Sequence, residues 1–137
     1  MKPVHVAVGV ILDSDHRILI TRRAKNAHQG DLWEFPGGKV EHSESVQQAL
    51  ARELHEELSI GVKQSEPLLQ VRHDYGDKTV LLDVWLVFNF TGEARGVEGQ
   101  PLAWATISEL GDYPFPAANK PIVDAIRALK KFETHQP

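Results

Sequence analysis

The sequence contains no cysteine and a single methionine among its 137 residues. Without cysteine the chain has no disulfide, no thiolate ligand for a metal and no cysteine nucleophile, and this composition suits the cytoplasm. Long hydrophobic runs are missing as well. The apolar run 4–12 is followed by the polar run 13–17 and not by a small-residue cleavage site, so we expect no signal peptide. No run approaches the length of a transmembrane helix, so we expect no membrane association.

An excess of positive charge is also missing, because the formal net charge is −4. A protein that binds a nucleic-acid backbone needs a basic surface, so we expect no direct nucleic-acid binding. A small phosphorylated ligand is still compatible with this charge, since bound metal can supply the missing positive charge. The length predicts one domain over residues 1–137 that can bury a core, and we expect it to act as a monomer.

The hydrophobic pattern predicts strands toward both ends of the chain and two helices. Strands are predicted at 4–12, 17–22, 33–35, 68–73, 79–90 and 102–106, the second pairing with the first as a hairpin. Ser45 is predicted to cap a helix that extends to Leu58. A second helix is predicted over about 120–132, after a proline-rich approach. The loop 91–100 is expected to be mobile. This order predicts an α/β (α+β) fold in which a mixed β-sheet lies between helices.

The first predicted helix has an apolar stripe of leucines, at positions 50, 54 and 58. Arg52, Glu53, Glu56 and Glu57 spread over roughly 140° of the opposite side. Crowded carboxylates repel one another and raise one another's pKa. A divalent cation relieves that repulsion. Because all of the ligands are oxygens, a hard ion such as Mg²⁺ or Mn²⁺ is favoured. The alternative is a solvated helix face with an Arg52–Glu56 ion pair, which is the usual role of a charge run.

The segment before the helix favours the metal interpretation. Residues 34–39 bring a pair of glycines to the start of the helix. Glycine allows the backbone to approach a ligand closely, so the Gly37 carbonyl is a candidate metal ligand.

The spacing of these residues resembles the Nudix box, Gly-x5-Glu-x7-Arg-Glu-U-x-Glu-Glu-x-Gly-U, where U is a bulky aliphatic residue. The residues that match it are Gly38, Glu44, Arg52, Glu53, Leu54, Glu56, Glu57 and Ile60. Ser59 stands where the box has glycine. Because glycine favours the left-handed cap of a helix, we expect Ser59 to reduce helix-end stability and not metal binding.

The resemblance covers essentially the whole chain and is closest to Nudix hydrolases that convert 8-oxo-dGTP to 8-oxo-dGMP and pyrophosphate. It rests on the stretches 20–23, 27–28, 34–39, 98–101 and 115–121. It implies an α/β/α sandwich and a Mg²⁺ site, in which Mn²⁺ can substitute. The implied metal ligands are Gly37, Glu53, Glu56, Glu57 and Glu98. The implied substrate-binding residues are Arg23, His28, Glu34, Phe35, Pro36, Gly37, Lys39 and Asn119. The implied catalytic residues are Glu53 and Glu98, as alternative general bases, and Arg52.

Asn119 can be argued from chemistry as well. The outer edge of guanine offers two acceptors, whereas the oxidised base offers an acceptor and a donor there. A carboxamide has one donor and one acceptor, so Asn119 matches only the oxidised edge fully. The alternative is that Asn119 caps the last helix. Trp33 and Lys78 depart from the pattern of the resembling enzymes, which leaves base selectivity open. Two further readings stay open, namely a Nudix pyrophosphatase with another nucleotide substrate and a non-catalytic nucleotide sensor.

Overall fold

The computed structural model describes residues 3–24 and 30–129. The strands are β1 Val4–Ile11, β2 Ile18–Arg22, β3 Trp33–Glu34, β4 Gly37–Lys39, β5 Gly61–Asp74, β6 Thr79–Thr91 and β7 Leu102–Ala105. The helices are α1 Val46–Leu58 and α2 Lys120–Arg127, with short 3₁₀ turns at Ser108–Asp112 and Ala117–Asn119. Within the described ranges, none of the helices is long and apolar enough to cross a membrane.

The strands form two sheets. The first is mixed and has the order β4-β1-β6-β5, with β1 parallel to β6 and the other pairs antiparallel. The second is antiparallel and has the order β3-β2-β7. The pairing of β5 with β6 is interrupted by three shifts of register, between Val62 and Gln64, Gln64 and Ser65, and Pro67 and Leu69.

Alternation along the strands places apolar side chains on both faces, and each face is covered by one helix. On one face Ala7, Ile11 and Leu19 pack in a core with the leucine stripe of α1. On the other face a larger core includes Ile122 and Ile126 of α2. Both sheets therefore lie between the two helices, which confirms the predicted α/β/α arrangement, with the strands divided between two sheets.

Local signals define both ends of α1. The Ser45 hydroxyl accepts a hydrogen bond from the Gln48 N–H at 3.0 Å, and the Gln48 side chain accepts one from the Ser45 N–H at 2.8 Å. This is the predicted capping box. At the other end Ser59 adopts the left-handed conformation, with φ 60° and ψ 31°. The box glycine is thus replaced without any change in the backbone geometry that ends the helix.

Three predictions about the strands need correction. The predicted hairpin of β1 with β2 is wrong, because only a single bridge joins them, at Leu12 and Ile18. β1 pairs instead with β4 and β6, and β4 was not predicted as a strand. β5 begins at Gly61 and not at 68, because backbone pairing with β6 carries this polar segment, including Pro67, into the sheet. The predicted helix after 120 is confirmed to Arg127, and the rest of its predicted span extends beyond the described residues.

Candidate active site

The two glycines before α1 are required by close contacts. Gly37 has φ +155°, and a Cβ there would overlap the Ala7 carbonyl of the neighbouring strand β1. A Cβ on Gly38 would overlap the Glu53 carboxylate of α1. The absence of side chains at these two positions of β4 therefore brings the charged face of α1 against the backbone of the first sheet.

Arg52 organises that charged face. Its guanidinium donates two hydrogen bonds to the Glu44 carboxylate, at 2.7 and 3.0 Å. The same group donates to Glu53 at 2.9 Å, to Glu56 at 3.2 Å and to the Lys39 carbonyl at 3.1 Å. The planar five-donor guanidinium suits this fan of acceptors, which a lysine could not satisfy. These bonds lower the pKa of Glu44 to about 2 and raise that of Arg52 above its usual range.

Glu57 is partly buried and is not paired with Arg52 by any described hydrogen bond. Burial, together with the charges of Glu53, Glu34 and Glu98, raises the pKa of Glu57 to about 8 against an opposing backbone hydrogen bond at Gly37. Four carboxyl groups from different parts of the chain thus interact at one place. Such a group of carboxylates is stabilised by losing charge or by acquiring a cation.

An acidic cleft of about 360 Å³ opens above Glu57. It is lined by the loop 98–101, the end of β2 and two carboxylates of the sheet and helix, namely Thr21, Arg22, Arg23, Ala24, Glu34, Glu57, Glu98, Gly99, Gln100 and Pro101. Glu53 and Glu56 do not line it. Glu53 lies against Gly38, and the Glu56 side chain is 58% exposed beside Arg52.

A second, apolar cleft of about 330 Å³ adjoins the acidic cleft. Its walls include aliphatic side chains of β1 and β6, the β5–β6 turn and the segment just before α2. The lining residues are Val4, Val6, Val8, Arg23, Glu34, Phe35, Gly37, Lys39, Tyr75, Lys78, Val80, Leu82, Pro116, Ala118 and Asn119. Its volume and mixture of apolar walls with a few polar groups are typical of a small-molecule site.

The two clefts meet at an ion pair. Arg23 donates to the Glu34 carboxylate at 2.6 Å, and both residues line both clefts. A ligand with one apolar planar end and one anionic end can therefore occupy both clefts by passing this pair. Arg23 is the cation that such a ligand would meet between them.

Asn119 stands at the first residue before α2, but its side chain makes no capping hydrogen bond. Its backbone N–H donates to the Pro116 carbonyl at 2.9 Å. Asn119 is one of the residues that line the apolar cleft. The predicted capping role of the Asn119 side chain is therefore not realised, and the group is placed where it can meet a ligand.

The other predicted substrate-binding residues vary in their placement. Phe35 is 4% exposed and stacks on Phe115 with ring centroids 5.2 Å apart, so it contributes only an edge to the apolar cleft. Pro36 is buried and lines neither cleft; its carbonyl accepts from the Gly9 N–H at 2.8 Å. Lys39 and Lys78 line the apolar cleft, whereas Trp33 packs edge-on against Tyr113. His28 lies outside the described residues.

The donor set fits a hard divalent cation in its chemistry. The carboxylates near Glu57 offer oxygen, and its pKa is raised by burial and by their negative charge, which a cation would offset. Among the residues in the two described ranges, however, no three acidic or histidine side chains form a ready-made set of metal ligands. Arg52 holds Glu53 and Glu56, so these carboxylates would share their oxygens between the guanidinium and a metal.

Gln100 was not predicted as a functional residue, although it lines the acidic cleft. It lies in a Gly/Glu-rich loop without periodicity, so no local signal distinguishes it from a solvated side chain. Its contacts join residues 43 positions apart in the chain.

Comparison with known proteins gives a consistent result. The chain is 39% identical over 129 residues to the 8-oxo-dGTP diphosphatase of Escherichia coli, covering 94% of this chain and all of the relative. It is 38% identical over 130 residues to the CTP pyrophosphohydrolase of the same organism, covering 95% of this chain and 96% of that one. A solved structure from a study of MutT of Aliivibrio salmonicida and Vibrio cholerae superimposes with a TM-score of 0.82 at 41% identity, covering 93% of this chain and 98% of that one. The NUDIX domain profile matches residues 7–125, and the chain therefore belongs to the NUDIX family.

Proposed function

We propose that the protein is a Mg²⁺-dependent pyrophosphohydrolase that converts 8-oxo-dGTP to 8-oxo-dGMP and pyrophosphate, thereby removing a mutagenic nucleotide from the pool. The observation that carries the proposal is the junction of the two clefts. The apolar cleft, which is lined by Asn119 with a side chain that makes no capping hydrogen bond, suits an oxidised purine. The adjoining acidic cleft suits a triphosphate that carries a metal. The 8-oxo-dGTP diphosphatase activity of the E. coli relative supports this assignment.

Hydrolases of this family generally use a divalent metal ion, and Glu57 is the residue best placed to hold it, with Glu98, Glu53, Glu56 and the Gly37 carbonyl as further ligands. When bound, Mg²⁺ supplies positive charge to the phosphates and acidifies a water molecule. Arg23 would orient the phosphates from the Glu34 side of the cleft. The roles of Glu57, Glu98 and Arg23 rest on their positions in the acidic cleft. Those of Glu53, Glu56 and the Gly37 carbonyl, which do not line it, rest on the resemblance to the Nudix box.

A carboxylate of the chain must take the proton of the attacking water as the phosphorus–oxygen bond breaks. Glu98 is supported as general base by its exposed position in the lining of the acidic cleft. Glu53 is supported by its proximity to Glu57, although one of its oxygens accepts a hydrogen bond from Arg52. Arg52 contributes by fixing the carboxylates of α1 and not by contact with the substrate.

A cytidine nucleotide is the second candidate substrate, because the chain is nearly as similar to the E. coli CTP pyrophosphohydrolase as to the diphosphatase. A pyrimidine is smaller and would leave part of the apolar cleft unfilled. The Asn119 carboxamide can also meet the donor and acceptor on the edge of cytosine.

The deciding experiment compares pyrophosphate release from 8-oxo-dGTP, dGTP and CTP at equal, low concentrations with Mg²⁺, so that the rates report kcat/KM. We expect the oxidised nucleotide to be preferred by several orders of magnitude. Comparable rates for 8-oxo-dGTP and dGTP would contradict selectivity for the oxidised base. A preference for CTP would assign the second candidate, and binding without release from any of them would indicate a nucleotide sensor.

A further inference from the structure

The loop that carries Glu98 is held at both ends by backbone hydrogen bonds, whereas its composition predicts a mobile segment. On one side the Arg95 N–H donates to the Leu58 carbonyl at 3.0 Å, and the Val97 N–H donates to the Glu57 carbonyl at 3.1 Å. On the other side the Arg22 N–H of β2 donates to the Pro101 carbonyl at 3.1 Å. Only the residues between Val97 and Pro101 bridge the acidic cleft, and Glu98 is one of them.

The Gln100 carboxamide connects this bridge to α1. Its oxygen accepts a hydrogen bond from the Glu98 N–H at 2.9 Å, and its nitrogen donates to the Glu57 carbonyl at 3.2 Å. The glutamine carboxamide offers a donor and an acceptor together, which neither alanine nor an ionised glutamate does. The loop is closed tightly around it, because a Cβ on Gly96 would overlap the Gln100 carbonyl.

We propose that Gln100 is a positioning residue, which holds Glu98 above the acidic cleft by linking the Glu98 backbone to that of Glu57. The two backbones it joins belong to Glu57 and Glu98, two of the three glutamates that line the cleft. A loop residue that must reach a reacting group gains from such a link, because small displacements of a catalytic group are costly. The inference rests on the proposed function only in using nucleotide hydrolysis as one of its two readouts.

The first readout is amide hydrogen exchange in the protein without substrate. Gln100→Ala removes the acceptor, so the Glu98 N–H should exchange faster by about tenfold or more while that of Ala49 within α1 is unchanged. Gln100→Glu keeps an acceptor for the Glu98 N–H but loses the donor to Glu57. The matched control is Gln64→Ala, whose side chain bonds Asn89 at 2.9 Å away from both clefts. Unchanged exchange at Glu98 in Gln100→Ala would overturn the proposal.

The second readout is a double-mutant cycle with Glu98→Gln, measured as kcat/KM. Gln100→Ala should lower kcat/KM about ten- to a hundredfold in the wild-type background. In the Glu98→Gln background it should cause almost no further loss, since the residue acts through Glu98. Gln64→Ala should leave the rate unchanged in both backgrounds. Thermal unfolding of every variant identifies a general loss of folding.

Equal losses in both backgrounds would show that Gln100 acts independently of Glu98 and would overturn the proposal, as would full activity of Glu98→Gln. The cycle is run with whichever nucleotide the wild-type protein hydrolyses fastest, so a preference for CTP would refute the 8-oxo-dGTP assignment and leave this inference standing. If no nucleotide is hydrolysed, amide exchange at Glu98 decides it alone.

Discussion

Asn119 shows what a single side chain can decide. Its position before α2 is one where asparagine commonly caps a helix, yet its carboxamide makes no capping bond and the residue lines the apolar cleft. A carboxamide that faces the edge of a base can make two hydrogen bonds, one as donor and one as acceptor. It distinguishes two bases when one base allows both bonds and the other allows only one. The cost of one unmade bond is then the part of the selectivity that this side chain contributes.

We predict that Asn119→Ala weakens 8-oxo-dGMP binding roughly ten- to a hundredfold more than dGMP binding, since an unmade buried hydrogen bond costs about 1–3 kcal/mol. Calorimetric titration of both nucleotides measures the difference, with thermal unfolding as a check on α2. Asn89→Ala, on the exposed side of β6, is a control of the same type. Equal weakening for the two nucleotides would assign Asn119 a structural role.

Burial and neighbouring carboxylates raise the pKa of Glu57, so replacing this residue should weaken metal binding. We predict that Glu57→Gln abolishes turnover at ordinary Mg²⁺ concentrations, because the amide is a weaker ligand and carries no charge. Pyrophosphate release over a range of Mg²⁺ concentrations measures this. Glu66→Gln removes the same charge from the exposed part of β5 and should leave turnover intact. Near-normal hydrolysis by Glu57→Gln would remove Glu57 from the site.

At the scale of elements, α1 connects the core to the chemistry. Its leucines are fully buried on one side, while Arg52 holds three carboxylates on the other. Both properties follow from residues close together in the sequence, so the helix, its capping box and its charged face could be predicted. The pairing partners of the strands could not be predicted in this way. A short turn after β1 predicts a hairpin, but β1 pairs with β6, which lies far along the chain.

The same distinction applies to the candidate site. Glu53, Glu56 and Glu57 could be singled out because helical spacing places them together. The Arg23–Glu34 pair and the Gln100 link depend on contacts between elements that only the folded sheet brings together. Periodicity carries no information about these contacts. The composition of the loop 91–100 predicted mobility. The backbone hydrogen bonds that hold this loop to the end of α1 could not be predicted, because they do not depend on composition.

The residue that ends α1, Ser59, has a strained backbone conformation whose effect on stability can be measured. Ser59 has φ 60°, which costs an ordinary residue more than glycine, and its hydroxyl accepts from the Arg95 side chain at 3.2 Å. We predict that Ser59→Gly raises the free energy of unfolding by roughly 0.5–1 kcal/mol, measured by urea denaturation. Ser59→Ala loses the hydroxyl and keeps the strain, so it should be less stable than the wild type. If both variants lose stability equally, the Arg95 contact outweighs the strain.

For the whole molecule, two carboxyl groups give stability an opposite dependence on pH. The pKa of Glu44 is lowered to about 2 by Arg52, so its contribution is present above about pH 4.5 and is lost as pH falls toward 2. Burial and neighbouring carboxylates raise the pKa of Glu57 to about 8, so the folded metal-free protein binds more protons there than the unfolded chain between pH 4.5 and 8. Stability should therefore fall as pH rises through that range.

We predict that metal-free wild-type protein loses stability between about pH 5 and pH 8, and that Glu57→Gln loses less. Added Mg²⁺ should restore stability at the upper end for the wild type, because binding to the folded state stabilises it. Urea denaturation with a chelator or with Mg²⁺ measures both effects, and Glu66→Gln serves as the charge-matched control. Parallel pH curves for wild type and Glu57→Gln would contradict the raised pKa of Glu57.

The irregular pairing of β5 has a consequence for association between molecules. β5 is the outer strand of the four-stranded sheet, and such an edge is a template onto which another chain can add a strand. Pro67 offers no N–H to an incoming strand, the register shifts bend the edge, and Lys63, Glu66 and Arg72 place exposed charges along it. We therefore expect the sheet to end at β5 and the protein to remain monomeric at concentrations where a smooth edge of this length would aggregate.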